Sequence, residues 1–247
     1  MKPTPRGAPR RYLHLVRRLL DEFRRERLGV LEVVAAEVAS RLDAGGVLFA
    51  FGTGHSHMLA EEIFYRAGGL VPVVPMLDPR VLLSTGALRS TEAERESGLA
   101  ESVARNYDLR RGDVGFVISH SGANAAPLEM ASLMKQKGLY VVALTSLEHR
   151  ARSRAKLHVA DVAHAVLDTG VPHGDASLEI PGVLHPAGPA STVVGAAILQ
   201  ALVLRVLERL GSGGRIVVNL PSANVDGAER ERVLRELEKY RERLRHW

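Results

Sequence analysis

Val114-Gly115-Phe116-Val117-Ile118-Ser119-His120-Ser121-Gly122-Ala123-Asn124 is the stretch on which the fold turns. Its short apolar run reads as a strand buried on both faces, the kind found in parallel sheets. Small polar residues follow, and a helical pattern then runs from about Ala125 to Lys137. A buried strand that ends in small hydroxyl residues and feeds a helix gathers several backbone N–H groups beside the positive end of a helix dipole. Serine hydroxyls add donors that rotate to suit an anion. The stretch is a candidate phosphate site.

Working outward, the same design recurs. Val47-Leu48-Phe49-Ala50-Phe51 is another apolar run, followed by Gly52-Thr53-Gly54-His55-Ser56 and a helical pattern from Ser56 through Arg66. Further strands are expected at Leu70 to Val74, where Pro72 argues for the sheet edge, at Leu139 to Leu144 before Thr145-Ser146, and at Ala163 to Leu167 before Asp168-Thr169-Gly170. Helices are expected from about Arg10 to Leu42 with a break at Gly29, from Thr91 to Asn106, from Ser191 to Leu210, and after Gly227. Met76 to Ser90 and Gly170 to Pro189 read as loops, and Ile216 to Val218 as a short strand. In the segment Pro221 to Gly227, Asn224 or Asp226 suits the cap of the last helix.

Strands alternating with helices imply parallel βαβ units. The expectation is an α/β three-layer sandwich around a mainly parallel five-stranded sheet, with an N-terminal helical region at 1–44 and the main domain at 45–247. In such sheets ligands bind beyond the carboxyl ends of the strands. The turns at 52–56, 119–124, 145–146 and 168–170 all fall there, which predicts a pocket for a small polar ligand.

Composition narrows the classes. The 247 residues are 46% apolar and 25% charged, a globular profile. There is no cysteine, so disulfides and thiolate metal sites are excluded. The apolar run Val193 to Leu204, broken by Gln200, is too short to span a bilayer, and residues 1–11 do not form a secretory signal. A cytoplasmic protein with no membrane partner is expected. Residues 1–28 carry nine Lys/Arg against three acids. These arginines recur among Leu13, Val16, Leu19, Leu20 and Phe23 at helical spacing, so they read as a solvated helix face rather than a nucleic-acid arm.

The two Gly-Ser turns, Gly52-Thr53-Gly54-His55-Ser56 and Ser119-His120-Ser121-Gly122-Ala123-Asn124, resemble those of the sugar isomerase (SIS) phosphosugar-binding domain, and the strand ending in Thr145 matches that family too. The resemblance covers roughly residues 30–220, and the pattern from Phe51 to Glu62 is similar to the UPF0309 subgroup. It implies a phosphosugar held by Ser56, Ser119 and Ser121 and by the amides of His120 and Gly122. Gly54, His55 and Thr145 complete the expected binding set. Asn124 stands where the family often has threonine; its amide can also donate to a phosphate.

Chemistry, if present, needs a base that moves a proton between adjacent carbons. On a helix from Ser56, Glu61 and Glu62 lie opposite the core face, with His57 one turn before Glu61. The resemblance implies a catalytic glutamate near this helix and sites near the subunit interfaces of a homodimer or homotetramer. His173 and His185, in the Gly/Pro-rich loop, are further candidates, with Asp175 placed to orient the His173 imidazole. His55 and His57 have a spacing seen in metal sites, but no third ligand is identifiable, so no metal and no cofactor is expected. Three readings stay open: an aldose–ketose isomerase, a sugar-phosphate lyase of the same fold, and a non-catalytic phosphosugar sensor.

Overall fold

The computed structural model describes residues 7–222, 224 and 230–247. In chain order the elements are α1 (Ala8–Glu22), α2 (Leu28–Asp43), β1 (Leu48–Gly52), α3 (His57–Glu62), β2 (Val73–Pro75), α4 (Ala87–Ala93), α5 (Leu99–Ala104), β3 (Val114–Ile118), α6 (Ala125–Gln136), β4 (Tyr140–Thr145), α7 (Leu147–Arg152), α8 (Val159–Val162), β5 (Ala165–Asp168), β6 (Ala176–Leu178), β7 (Ala187–Pro189), α9 (Ser191–Leu210) and α10 (Arg230–Glu238). Five parallel strands form one sheet in the order β2-β1-β3-β4-β5, and β6 and β7 form a separate antiparallel hairpin.

Alternation along the strands divides the core in two. Leu48, Ala50, Val114, Phe116, Val142 and Leu144 face one way, onto α1, α2, α3 and α9. Phe49, Phe51, Val117, Val141 and Ala143 face the other way, onto α5, α6 and α8. This is the three-layer sandwich. Gly115 interrupts β3 because α6 comes very close there: a Cβ would stand 2.5 Å from Met134 Sδ.

The sheet grows from β1 to β2, then reverses to the far side of β1 with β3. The chain switches direction between β1 and β3, where open α/β sheets form ligand crevices. Gly52 pairs with Ile118, Ile118 with Leu144, and Thr145 with Asp168. The turns after β1, β3, β4 and β5 therefore leave the sheet side by side.

Several local expectations change. The long N-terminal helix is irregular at a π-turn over Phe23–Arg27 rather than at Gly29, and Arg27 in that turn reaches Asp168 at 3.0 Å. The helix expected at Thr91 to Asn106 is two helices, because Gly98 adopts φ +84° between them. Ser90 is a buried residue of α4 whose hydroxyl donates to the Val81 carbonyl. The expected helix from Ser56 ends at Glu62. The loop at 170–189 contains the β6–β7 hairpin, and 216–218 forms no strand, only a bridge from Asn219 to Leu70. Pro72 precedes β2, which is an edge strand. The capping expected of Asn224 or Asp226 turns on residues 225–229, outside the described residues. Among the described residues no helix is long and apolar enough to cross a membrane.

Candidate functional site

The turn after β3 is held from within. Ser119 Oγ accepts from the Gly122 amide at 3.0 Å, and Ser119 N–H donates to the Leu144 carbonyl. The His120 carbonyl accepts from Ser146 N–H and from the Thr145 hydroxyl, both at 3.3 Å. Gly122 has φ +62°, and a Cβ there would lie 2.3 Å from His158 Cε1, so only glycine fits this turn without displacing that ring. What remains free is a set of donors. Among the described residues, the amides of His120 and Ser121 and the Ser121 and Ser56 hydroxyls have no hydrogen-bond partner. They lie on turns that leave adjacent strands, and backbone N–H groups clustered at such a turn favour an anion.

The first turn is shaped by the same kind of constraint. A Cβ on Gly52 would stand 2.5 Å from the Ser56 carbonyl oxygen, and Gly54 has φ +55°. His57 Nδ1 bonds to the Gly54 carbonyl, which locks the ring against the turn, and its Nε2 lies 3.5 Å from Glu61. His55 is exposed.

Beside the turns a narrow cleft with about 10 Å³ of free volume, room for roughly one water, is walled by Ser56, His120, Thr145, Thr169, Ser191 and Thr192 over a floor of Leu59, Ile118 and Leu144. Its wall is hydroxyl-rich and carries no charged side chain. A wider surface cleft between Leu42, Pro72, Ile216 and Tyr240 touches none of the turns.

Three imidazoles extend from this cleft toward solvent. The His120 and His149 rings meet edge to face at 4.9 Å, and His149 stacks on the exposed His173 at 4.4 Å. Burial holds His120 below the ordinary imidazole pKa. Neither of its ring nitrogens has a partner, although the nearby Pro172 carbonyl and Asp175 carboxylate oppose the shift. His149 is pushed down to about 4, first by burial and then by the neighbouring His120, His173 and His158. His158, also lowered mainly by burial, accepts from Ala160 N–H through Nδ1, so its neutral ring carries the proton on Nε2, beneath the Gly122 turn. Burial thus keeps His120, His149 and His158 neutral at pH 7.

The candidates read from the sequence are thus distributed unevenly. Ser56, Ser119, His120, Ser121, Gly122 and Thr145 come together at the β1–β3 switch. The Gly122 amide and the Thr145 hydroxyl, however, brace the turn. Asn124 occupies the cap position of α6 but makes no capping bond; its amide donates to Glu94 Oε1 at 2.7 Å. Glu61 is half exposed beside His57. Glu62 accepts from Gln200 of α9 at 3.1 Å and pairs with Arg66 at 3.3 Å. Asp175 does not orient His173. Its carboxylate accepts from the amides of Ala190 and Ser191 and from the Ser191 hydroxyl, which caps α9. His185 is exposed in the β6–β7 loop, with no hydrogen bond or ring contact among the described residues. No cluster of three or more His, Asp or Glu side chains is arranged to hold a metal ion among the described residues.

Glu94, His149 and His158 escaped the sequence reading. Each sits on a short helix or its flank whose surroundings are set by distant segments. The one sequence signal was the local density of histidine between His149 and His173.

Comparison with known proteins places this geometry. The SIS domain model matches residues 11–146. A UPF0309 protein of Geobacillus kaustophilus is 40% identical over 219 residues, covering 87% of this chain and 86% of its own. A UPF0309 protein of Brucella ovis is 40% identical over 238 residues, covering 96% and 97%. Among solved structures, phosphoheptose isomerase of Neisseria gonorrhoeae superposes with a TM-score of 0.56 at 19% identity, over 82% of this chain and 98% of that one. Phosphoheptose isomerase of Francisella tularensis does so with 0.55 at 15% identity, over 83% and 98%. These two likenesses concern the fold. With the matched domain spanning both turns and relatives aligned over nearly the whole length, the chain belongs to the SIS domain family and to the UPF0309 proteins within it.

Proposed function

We propose that this protein binds a phosphorylated sugar at the β1–β3 switch and isomerises it between aldose and ketose forms. The observation that carries the reading is the set of unpartnered donors: the His120 and Ser121 amides and the Ser56 and Ser121 hydroxyls. Neutral donors of this kind hold a phosphate without a lysine or arginine. The sugar end lies toward the hydroxyl-lined cleft, where the neutral His120 ring offers a donor and an acceptor to sugar oxygens. Glu61 or Glu62 supplies the base, with His173 or His185 assisting at the ring oxygen. Exposed apolar residues near these acids, Met58 and Tyr65, together with Val193 and Leu204 on α9, suit a homo-oligomeric contact. We assign the protein to the cytoplasm, the compartment in which phosphorylated sugars are handled.

The test is a binding panel. Triose to heptose phosphates should raise Tm, by an amount that grows with ligand concentration, while the unphosphorylated sugars should not. Ser121→Ala should weaken binding of a responding sugar phosphate by about tenfold or more, the value of a hydrogen bond to a charged group. Stabilisation by nucleotides but by no sugar phosphate would overturn the reading.

A further inference from the structure

Glu94 is the residue that follows α4, far in sequence from both Gly-Ser turns, yet it touches each of them. Its Oε2 accepts from the Thr53 hydroxyl at 2.6 Å and its Oε1 from the Asn124 amide at 2.7 Å. Its main-chain carbonyl accepts from Ala126 N–H, in the first turn of α6, at 3.0 Å. Thr53 is buried and Glu94 itself half-buried. One residue thus joins the turn after β1 to the turn after β3 and the start of the helix that β3 feeds.

A carboxylate beside a site built for an anion is electrostatically unfavourable for that anion. Its presence there calls for a compensating role, and its two short bonds supply one. Hydrogen bonds to an ionised acceptor are about twice as strong as neutral ones. The β1–β3 ladder fixes the two turns only where they leave the sheet, at the Gly52–Ile118 pair; beyond it, among the described residues, no backbone hydrogen bond joins the turn of Ser56 to the turn of Ser121.

We propose that Glu94 is a positioning residue: its carboxylate cross-links Thr53 to Asn124 and fixes the separation of the two halves of the anion site. It makes Asn124 a structural partner rather than a ligand contact. The cross-link stands on geometry alone; its consequence for binding rests on the phosphosugar reading, and the test separates the two.

Thermal unfolding of the full chain is measured for two double-mutant cycles, Glu94→Ala with Thr53→Val and Glu94→Ala with Asn124→Ala. Each cycle should depart from additivity by about 2–4 °C in Tm. Additive behaviour in both overturns the cross-link. Glu94→Gln supplies the second measurement. Its carbonyl can accept from Asn124 while its amide donates to the Thr53 hydroxyl, so it removes the charge and keeps the bridge. Glu94→Ala removes both. Calorimetric titration with inorganic phosphate and with fructose 6-phosphate should show Glu94→Gln binding about tenfold more tightly than Glu94→Ala. Equal affinities of the two variants overturn the positioning role, because the charge change is the same in both. If neither probe binds the natural chain at all, the phosphate reading fails, and the two cycles decide the cross-link by themselves.

Discussion

At the scale of single residues, Gly122 and His158 are two halves of one constraint. Gly122 holds φ +62°, and any side chain there would run into the His158 ring and Val159. His158 is buried and braces α8 through a reciprocal cap with Asp161. Gly122→Ala combines backbone strain with a steric clash, and we expect a loss of about 2–3 kcal/mol in denaturant unfolding. Adding His158→Ala should recover part of that loss by opening the space the methyl needs; no recovery would place the strain elsewhere. His149 predicts a pH effect. Its pKa is lowered to about 4 in the native state, so between pH 6.5 and 4 the unfolded chain binds more protons than the folded one. Stability should fall as pH drops through that window. Reading Tm from pH 7 down to 5, above most carboxylate titration, the natural chain should lose stability more steeply than His149→Gln.

At the scale of elements, α3 and α9 form the face on which catalysis would depend. α3 is short, and its two acids are differently engaged: Glu61 with His57, Glu62 with Gln200 of α9 and with Arg66. α9 packs closely enough that a Cβ at Gly195 would stand 2.7 Å from Leu59 Cδ1. If either acid is the base, Glu61→Gln and Glu62→Gln, made separately, should leave sugar-phosphate affinity within a few fold. One of them should then lower kcat by at least about a hundredfold. Full turnover in both would take α3 out of the chemistry, and absence of turnover in the natural chain with every sugar phosphate it binds would favour a sensor. The strands, helix α9 and the two turns were legible beforehand, because an apolar run and a Gly-Ser turn announce themselves locally. The break at Gly98 was not: the charged periodicity through 91–106 is continuous, and only the left-handed glycine divides it.

At the scale of the whole molecule, the sheet has a working end and a sealed end. The turns occupy the carboxyl ends of the strands. At the opposite end the buried Asp113 carboxylate accepts from the amides of Val47 and Arg110 and from Arg243, the last at 2.5 Å. That side chain ties β1, β3 and the C-terminal segment together while lying outside the site. Asp113→Ala should therefore cost about 3–5 kcal/mol of stability, the penalty of orphaning a buried charge partner, and leave sugar-phosphate affinity unchanged once the protein is folded. A change in affinity at low temperature would mean that the two ends communicate.

Sequence alone determined the layers of this protein and the location of its two Gly-Ser turns, since burial on two faces demands continuous apolar strands and an N–H-rich turn demands small residues. Those requirements are met within a few residues of one another and so are written locally. Only the tertiary structure decided which donors remain free and which brace the turn. It took the Gly122 amide for Ser119, the Asn124 side chain for Glu94 and the Asp175 carboxylate for the start of α9. It also brought His149 against His120 and His158 against the Gly122 turn. Hydrogen-bond partners are chosen by proximity in space, and between segments this far apart in the chain no local pattern records that choice.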